Sequence, residues 1–172
     1  MARSALREDF RLLCAAVEEA AGVARRFFEE GAEVWMKGPG NPVTEADLAV
    51  DKLLNEKLRG ARPEYGWLSE ESKDDGSRLT ARRTWVLDPI DGTRAFVKKQ
   101  PEFTVAAGLI EDGRPVMGVV VNPATGEFFS ACEGGRLRQN GKLTTPLADR
   151  SLKAARVLGR SEEHTSELQS RL

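Results

Sequence analysis

Two carboxylates three residues apart, Asp88 and Asp91, lie within the stretch Trp85-Val86-Leu87-Asp88-Pro89-Ile90-Asp91-Gly92-Thr93-Arg94-Ala95-Phe96. Trp85, Val86 and Leu87 form an apolar run with strong strand propensity. Pro89 cannot donate to a sheet ladder, so the strand is predicted to stop at or near Asp88. The turn beyond it lets both carboxylates converge on one point, and Gly92 permits a tight backbone there. The amides of Gly92 and Thr93 then open a short helix, where free N–H groups and the helix dipole favour an anion. Two hard oxygen donors for a cation thus stand beside a place for a phosphate. That pairing points to metal-assisted phosphate chemistry. The order D-P-x-D-G is also ordinary turn chemistry, so the rest of the chain has to decide.

The elements that position this segment are legible in the hydrophobic pattern. Leu6, Phe10, Leu13, Val17, Ala20, Ala24 and Phe27 recur at spacings of three and four, which predicts a long first helix with Gly31 as its stop. Cys14 on that helix is read as a packing residue. Glu33 to Lys37 reads as a short strand or loop, followed by the flexible cluster Gly38-Pro39-Gly40-Asn41-Pro42. Thr44 with Asp47 three residues later is a capping-box pattern opening a second helix, with Val50, Leu53, Leu54 and Leu58 inward and Gly60 at its end. Gly66 to Ser69 is a short strand running into Glu70 and Glu71, and Lys73 to Arg83 a surface loop. Three further strands are predicted at 103–110, 115–121 and 127–132, with Asp112-Gly113 and Asn140-Gly141 as tight turns and another strand at 154–158. Helices followed by an antiparallel meander predict an α+β fold, helices layered on a mostly antiparallel sheet.

At 172 residues, with 40% hydrophobic and 31% charged residues, the chain suits one domain with a sizeable core. Its net charge of −1 gives no electrostatic reason to expect a nucleic acid polymer or an anionic membrane as partner. No apolar run reaches membrane length, and Met1 leads into the first helix with no signal peptide. Cys14 and Cys132 are therefore expected to be reduced thiols in a cytoplasmic protein. The one histidine, His164, falls in a tail of unusual character. Residues 160–170 back-translate, with allowed codons, to a common sequencing adapter read in frame, so 160–172 is expected not to be native. The native part is then 1–159, neutral and without histidine.

The stretch from Trp85 to Phe96 resembles the core signature of the inositol monophosphatase superfamily, a hydrophobic strand followed by D-P-[IL]-D-G-T and an aromatic residue. Those proteins are magnesium-dependent, lithium-sensitive phosphomonoesterases. The resemblance extends over residues 5 to 159 and implies the N-terminal, metal-binding domain of the sugar-phosphatase fold. It implies Mg²⁺ as cofactor, with Glu70, Asp88, Asp91 and the Ile90 carbonyl as ligands. The segment around Glu70 is similar to the family's G-E-E, with Ser69 in place of the glycine. Thr44 and Asp47 match a P-V-T-x-x-D segment that supports the metal site from behind. Thr93 with Glu70 would orient the attacking water, while the Gly92 and Thr93 amides would hold the phosphate. None of Trp35, Trp67 and Trp85 is followed by aspartate. The family's W-D segment and its second α/β domain are thus expected to be missing, leaving an impaired fragment of a protein that could be a homodimer when complete.

The expected substrate is a small phosphorylated metabolite. Arg94-Ala95-Phe96-Val97-Lys98-Lys99 and Pro101 to Val105 look closer to the 3'(2'),5'-bisphosphate nucleotidase branch than to inositol-specific members, with Arg94 available to a second phosphate. Inositol 1-phosphate and histidinol phosphate are the alternatives. Two other phosphatase chemistries fit less well. Aspartyl-phosphate enzymes space their acids two apart, without a proline between. Cys132 to Arg138 has the bare C-x5-R spacing of cysteine phosphatases, but Glu133 opposes a thiolate. A regulatory module that keeps the fold without activity is the alternative of another class.

Overall fold

The computed structural model describes residues 2–38 and 41–144, with side chains from residue 5 onward. The strand expected at 154–158 and the tail at 160–172 lie outside the described residues. Helix α1 runs Ala2–Glu30 and ends where predicted: Gly31 takes φ 107° and its amide closes on the Phe27 carbonyl at 2.9 Å. Strands β1, Val34–Gly38, and β2, Asn41–Thr44, form an antiparallel hairpin, so the expected strand or loop at 33–37 is a strand. Helix α2, Glu45–Leu54, continues through a π-helical turn at Asn55–Arg59. Gly60 does not end it, because its φ of −60° is still helical. The chain leaves the helix at Arg62, just before Pro63, which has no N–H to continue the ladder.

A seven-stranded sheet has the order β3-β4-β5-β6-β7-β8-β9. Its strands are β3 Gly66–Ser69, β4 Arg83–Asp91, β5 Thr104–Glu111, β6 Arg114–Asn122, β7 Glu127–Cys132, β8 Arg138–Gln139 and β9 Lys142–Leu143. Only β3 and β4 are parallel; every other pairing is antiparallel. Asp112-Gly113 and Asn140-Gly141 are the tight turns that the sequence predicts, with both residues of each pair at positive φ.

Alternation decides which face is covered. Trp85 and Leu87 of β4, Val105, Ala107 and Leu109 of β5, and Val119 and Val121 of β6 are buried. Leu13, Val17, Ala20 and Ala24 of α1, with Val50 and Leu54 of α2, complete the same core. The opposite face holds a shallow apolar depression lined by Val86, Ala106, Gly108, Gly118 and Val120.

One polar cluster lies within the helix–sheet interface. Asp9 of α1 has no exposed surface; it accepts from Arg62 at 2.8 Å, the Tyr65 hydroxyl at 2.8 Å and Arg83 at 3.1 Å. Arg83 also reaches Glu111 of β5 at 3.1 Å. A buried carboxylate needs such partners, since desolvation costs several kcal/mol on the order of a whole domain's stability.

Candidate active site

Strand β4 does not stop at Asp88 as its proline suggests. It continues to Asp91 through a bulge, in which Asp88 pairs with Ala106 and Asp91 with Thr104, so three steps along β4 match two along β5. Pro89 sits inside the bulge, where no ladder donor is required of it. The extra residue re-aims the chain and delivers both carboxylates to the end of the strand. Gly92 then adopts φ 102° and opens helix α3, Thr93–Val97.

A side chain at Gly92 has no room. Its Cβ would lie 2.6 Å from the Glu102 carbonyl oxygen and 2.9 Å from Phe103 Cα. The turn is pressed onto the 102–103 backbone and held from below by three rings. Phe28, Phe96 and Phe103 have centroid separations of 4.8, 5.0 and 5.6 Å.

Strand β3 supplies the third acid. Its parallel register places Ser69 beside Leu87, so the next residue, Glu70, emerges level with Asp88. Glu70 is exposed and Asp88 half-buried. Asp88 is pushed up to about 7, first by burial and then by the charges of Glu70, Asp91 and Asp47; once protonated it hydrogen-bonds to Glu70. Among the described residues no three acidic, histidine or cysteine side chains already close on one point, so the acids surround Asp88 at longer range.

Helix α2 backs the site. Thr44 is its N-cap: the Thr44 amide and hydroxyl donate to Asp47 Oδ2 at 2.8 and 2.5 Å, while the Asp47 amide donates to Thr44 Oγ1 at 3.4 Å. Both residues are buried. Burial pushes the Asp47 carboxyl up, against the hydrogen bonds from Thr44 and Thr93. The Thr93 hydroxyl lies 3.3 Å from Asp47 Oδ1 and 3.0 Å from the Ile90 carbonyl oxygen. The capping box thus reaches through Asp47 to Thr93, and Thr93 reaches back to Ile90. Arg94, half-buried, lies in the first turn of α3, and its carbonyl accepts from the Lys98 amide at 3.2 Å.

Of the residues singled out from sequence, Thr44, Asp47, Glu70, Asp88, Ile90, Asp91, Gly92, Thr93 and Arg94 all belong to this end of β4 and its neighbours. The C-x5-R segment does not form a comparable site. Cys132 ends β7, and Arg138 donates to the Gly141 carbonyl at 2.7 Å. Two features escaped the sequence reading. Glu71 forms an ion pair with Lys37 of the β1–β2 hairpin. Asp51 of α2 receives the hydroxyls of Ser69 and Ser72. The spacing of four between Asp47 and Asp51, which puts both on one helix face, is the signal that points to Asp51.

A model of the inositol monophosphatase family matches residues 5–171. The chain belongs to this family. Its members are metal-dependent phosphomonoesterases. The inositol-1-monophosphatase of Rhizobium meliloti (strain 1021) is 37% identical over 166 residues, covering 95% of this chain and 60% of that protein. The 3'(2'),5'-bisphosphate nucleotidase CysQ of Escherichia coli (strain K12) is 40% identical over 103 residues, 59% of this chain and 42% of that protein. Among solved structures, extragenic suppressor protein suhB from Bartonella henselae superposes with TM-score 0.77 at 31% identity, covering 83% of this chain and 55% of that one. The chain therefore spans 60% or less of these relatives' length. The fold is the family's α+β fold, represented by its N-terminal region.

A divalent cation fits the residues at the end of β4. The donors are carboxylate and carbonyl oxygens, the set preferred by hard cations. Burial first, and then the charges of Glu70, Asp91 and Asp47, disfavour the Asp88 carboxylate, and a cation held there would offset both.

Proposed function

We propose that the protein is a Mg²⁺-dependent phosphomonoesterase acting on a small phosphorylated metabolite, with a nucleoside 3',5'-bisphosphate as the favoured substrate. The observation that carries this reading is the β4 bulge, which delivers Asp88 and Asp91 to the Gly92–Thr93 turn, with Glu70 following the parallel β3 register level with Asp88. Glu70, Asp88, Asp91 and the Ile90 carbonyl would hold Mg²⁺. Bound there, it supplies Lewis-acid stabilisation of phosphoryl oxygens and lowers the pKa of water.

The chain's own groups do the rest. Asp47 accepts from Thr93 and fixes its hydroxyl, leaving the Thr93 oxygen to accept from a water that Glu70 also holds. That water is oriented toward phosphorus; as its oxygen bonds to phosphorus and the ester P–O bond breaks, its proton would pass through Thr93 to Asp47 and the departing alkoxide would take a proton from solvent. The Gly92 and Thr93 amides meet the phosphate oxygens, where donors fixed in advance stabilise developing charge. Arg94 serves a second phosphate of the substrate. The unpaired thiols Cys14 and Cys132 suit a cytoplasmic setting.

A second substrate reading is inositol 1-phosphate, favoured by the likeness to the Rhizobium meliloti protein, which extends over 95% of this chain. Phosphate release from adenosine 3',5'-bisphosphate and from inositol 1-phosphate, with and without Mg²⁺, tests both. In a protein spanning the full length of the relatives, Asp88→Asn is expected to abolish release, and Cys132→Ser to leave it nearly unchanged. Release that survives chelation but is lost in Cys132→Ser would overturn the metal-dependent reading.

A further inference from the structure

Helix α2 presents two carboxylates one turn apart to the candidate site, and they serve opposite sides of it. Asp47 holds Thr93, beyond the end of β4. Asp51 accepts the Ser69 hydroxyl on Oδ1 and the Ser72 hydroxyl on Oδ2. Ser69 is the last residue of β3, and Ser72 follows Glu70 and Glu71. Ser69 Oγ also accepts from the Glu71 amide at 3.3 Å. One carboxylate therefore closes both ends of a four-residue loop, with Glu70 inside it.

The clasp matters because Glu70 lies just past the last paired residue of β3. Its own side chain is exposed, and Lys37 engages its neighbour Glu71. Register brings Glu70 level with Asp88, but only the backbone up to Ser69 is in the ladder. Past that point the loop is held by the Ser69 and Ser72 hydroxyl bonds to the Asp51 carboxylate, beside the ion pair of Glu71 with Lys37. Without them the loop samples other courses, and ordering it falls to whatever binds Glu70.

We propose that Asp51 is a positioning residue, clasping Ser69 and Ser72 so that Glu70 is held against Asp88 in the geometry that binds the divalent cation. This rests on the reading of Glu70 and Asp88 as cation ligands. Removing partners that orient a metal's ligands typically weakens metal affinity about 10- to 100-fold, and a loss in that range is expected here.

The test is cation binding by the full chain, with Mn²⁺ as the probe and free Mn²⁺ read by electron paramagnetic resonance. Four proteins are compared with the parent: Asp51→Asn, Ser69→Ala combined with Ser72→Ala, Glu70→Gln, and Asp51→Asn combined with Glu70→Gln. The serine variant opens the clasp while leaving the Asp51 charge in place, and provides a second route should Asp51→Asn fold poorly. Both clasp variants are expected to bind Mn²⁺ at least about 10-fold more weakly. Adding Asp51→Asn to Glu70→Gln is expected to cost little more, since the clasp acts through Glu70. Loss in Glu70→Gln with parent-like affinity in both clasp variants would overturn the role of Asp51 and leave the metal reading standing. Additive losses would equally overturn it, because Asp51 would then act by charge alone. Unchanged affinity in Glu70→Gln would remove the metal reading, and the role of Asp51 with it.

Discussion

Gly92→Ala is the substitution that should expose most directly how the turn after β4 is held. Two costs can be separated. The first is conformational: at φ 102° an alanine pays for a left-handed backbone, a strain of about 1–3 kcal/mol. The second is contact, with a Cβ 2.6 Å from the Glu102 carbonyl oxygen and 2.9 Å from Phe103 Cα. Both neighbours are backbone and cannot swing away, so overpacking adds about 1–3 kcal/mol. Reduced freedom of the unfolded chain returns about 0.4–1 kcal/mol, leaving a net loss of about 1–5.6 kcal/mol, centred on about 3 kcal/mol. Gly126→Ala is the control, since Gly126 has φ 72° and nothing within 4 Å of its Cβ. It should cost only about 1 kcal/mol. Urea denaturation of the three proteins gives both losses, and their difference isolates the contact. If Gly92→Ala and Gly126→Ala fall within about 0.5 kcal/mol of each other, the 102–103 backbone yields freely and the account of a pressed turn is wrong.

Asp9→Ala should destabilise by about 3 kcal/mol in the same assay, because it takes the carboxylate from Arg62, leaves Arg83 with Glu111 alone as its acidic partner and opens a cavity; a loss under about 1 kcal/mol would contradict the buried-network reading. Thr44→Ala removes a helix cap worth about 1–2 kcal/mol and a hydrogen bond that holds the Asp47 carboxyl down. Carbon-detected NMR should then show Asp47 titrating higher still, and an unchanged or lower titration would refute that account. Burial, with Cys132 and Glu18, pushes the Cys14 thiol up from 9.0 to about 11, so iodoacetamide at pH 8 should label it about 100-fold more slowly than an unperturbed thiol. Because the native thiol keeps a proton that the unfolded chain gives up, stability should fall as pH rises from about 9 to about 11, and Cys14→Ser should remove that dependence.

The local features read correctly from sequence are those governed by local rules. The spacing of three between Thr44 and Asp47 suffices for a capping box, and Asp112-Gly113 suffices for a hairpin turn, because each depends on a few consecutive dihedrals. Gly92 was read for its backbone freedom, but its tight approach to Phe103 is a tertiary fact that no spacing encodes. Pro89 misled for a similar reason: a proline ends a regular ladder, yet a bulge removes the demand for its donor. Gly60 stayed helical where a stop was expected, since propensity is a weak prior against packing of Leu54 and Leu58. Asp51 went unread despite its i+4 spacing from Asp47, because its ties to Ser69 and Ser72 span 18 and 21 residues.

The carboxylate of Asp9 has an implication for how the molecule assembles. Its partners arrive from the end of the second helical segment, from the approach to β3 and from β4, separated by 53, 56 and 74 residues. A chain with the long helix docked but β4 still loose would bury a charge with too few donors, at a penalty of several kcal/mol. Such a half-assembled form is therefore sparsely populated. Helix α1 and strand β4 have to commit together, and the same event that seats the helix brings Arg83 to Glu111 and sets β4 against β5. The acids at the far end of β4 thus come into place as part of one cooperative transition, not as a later local adjustment.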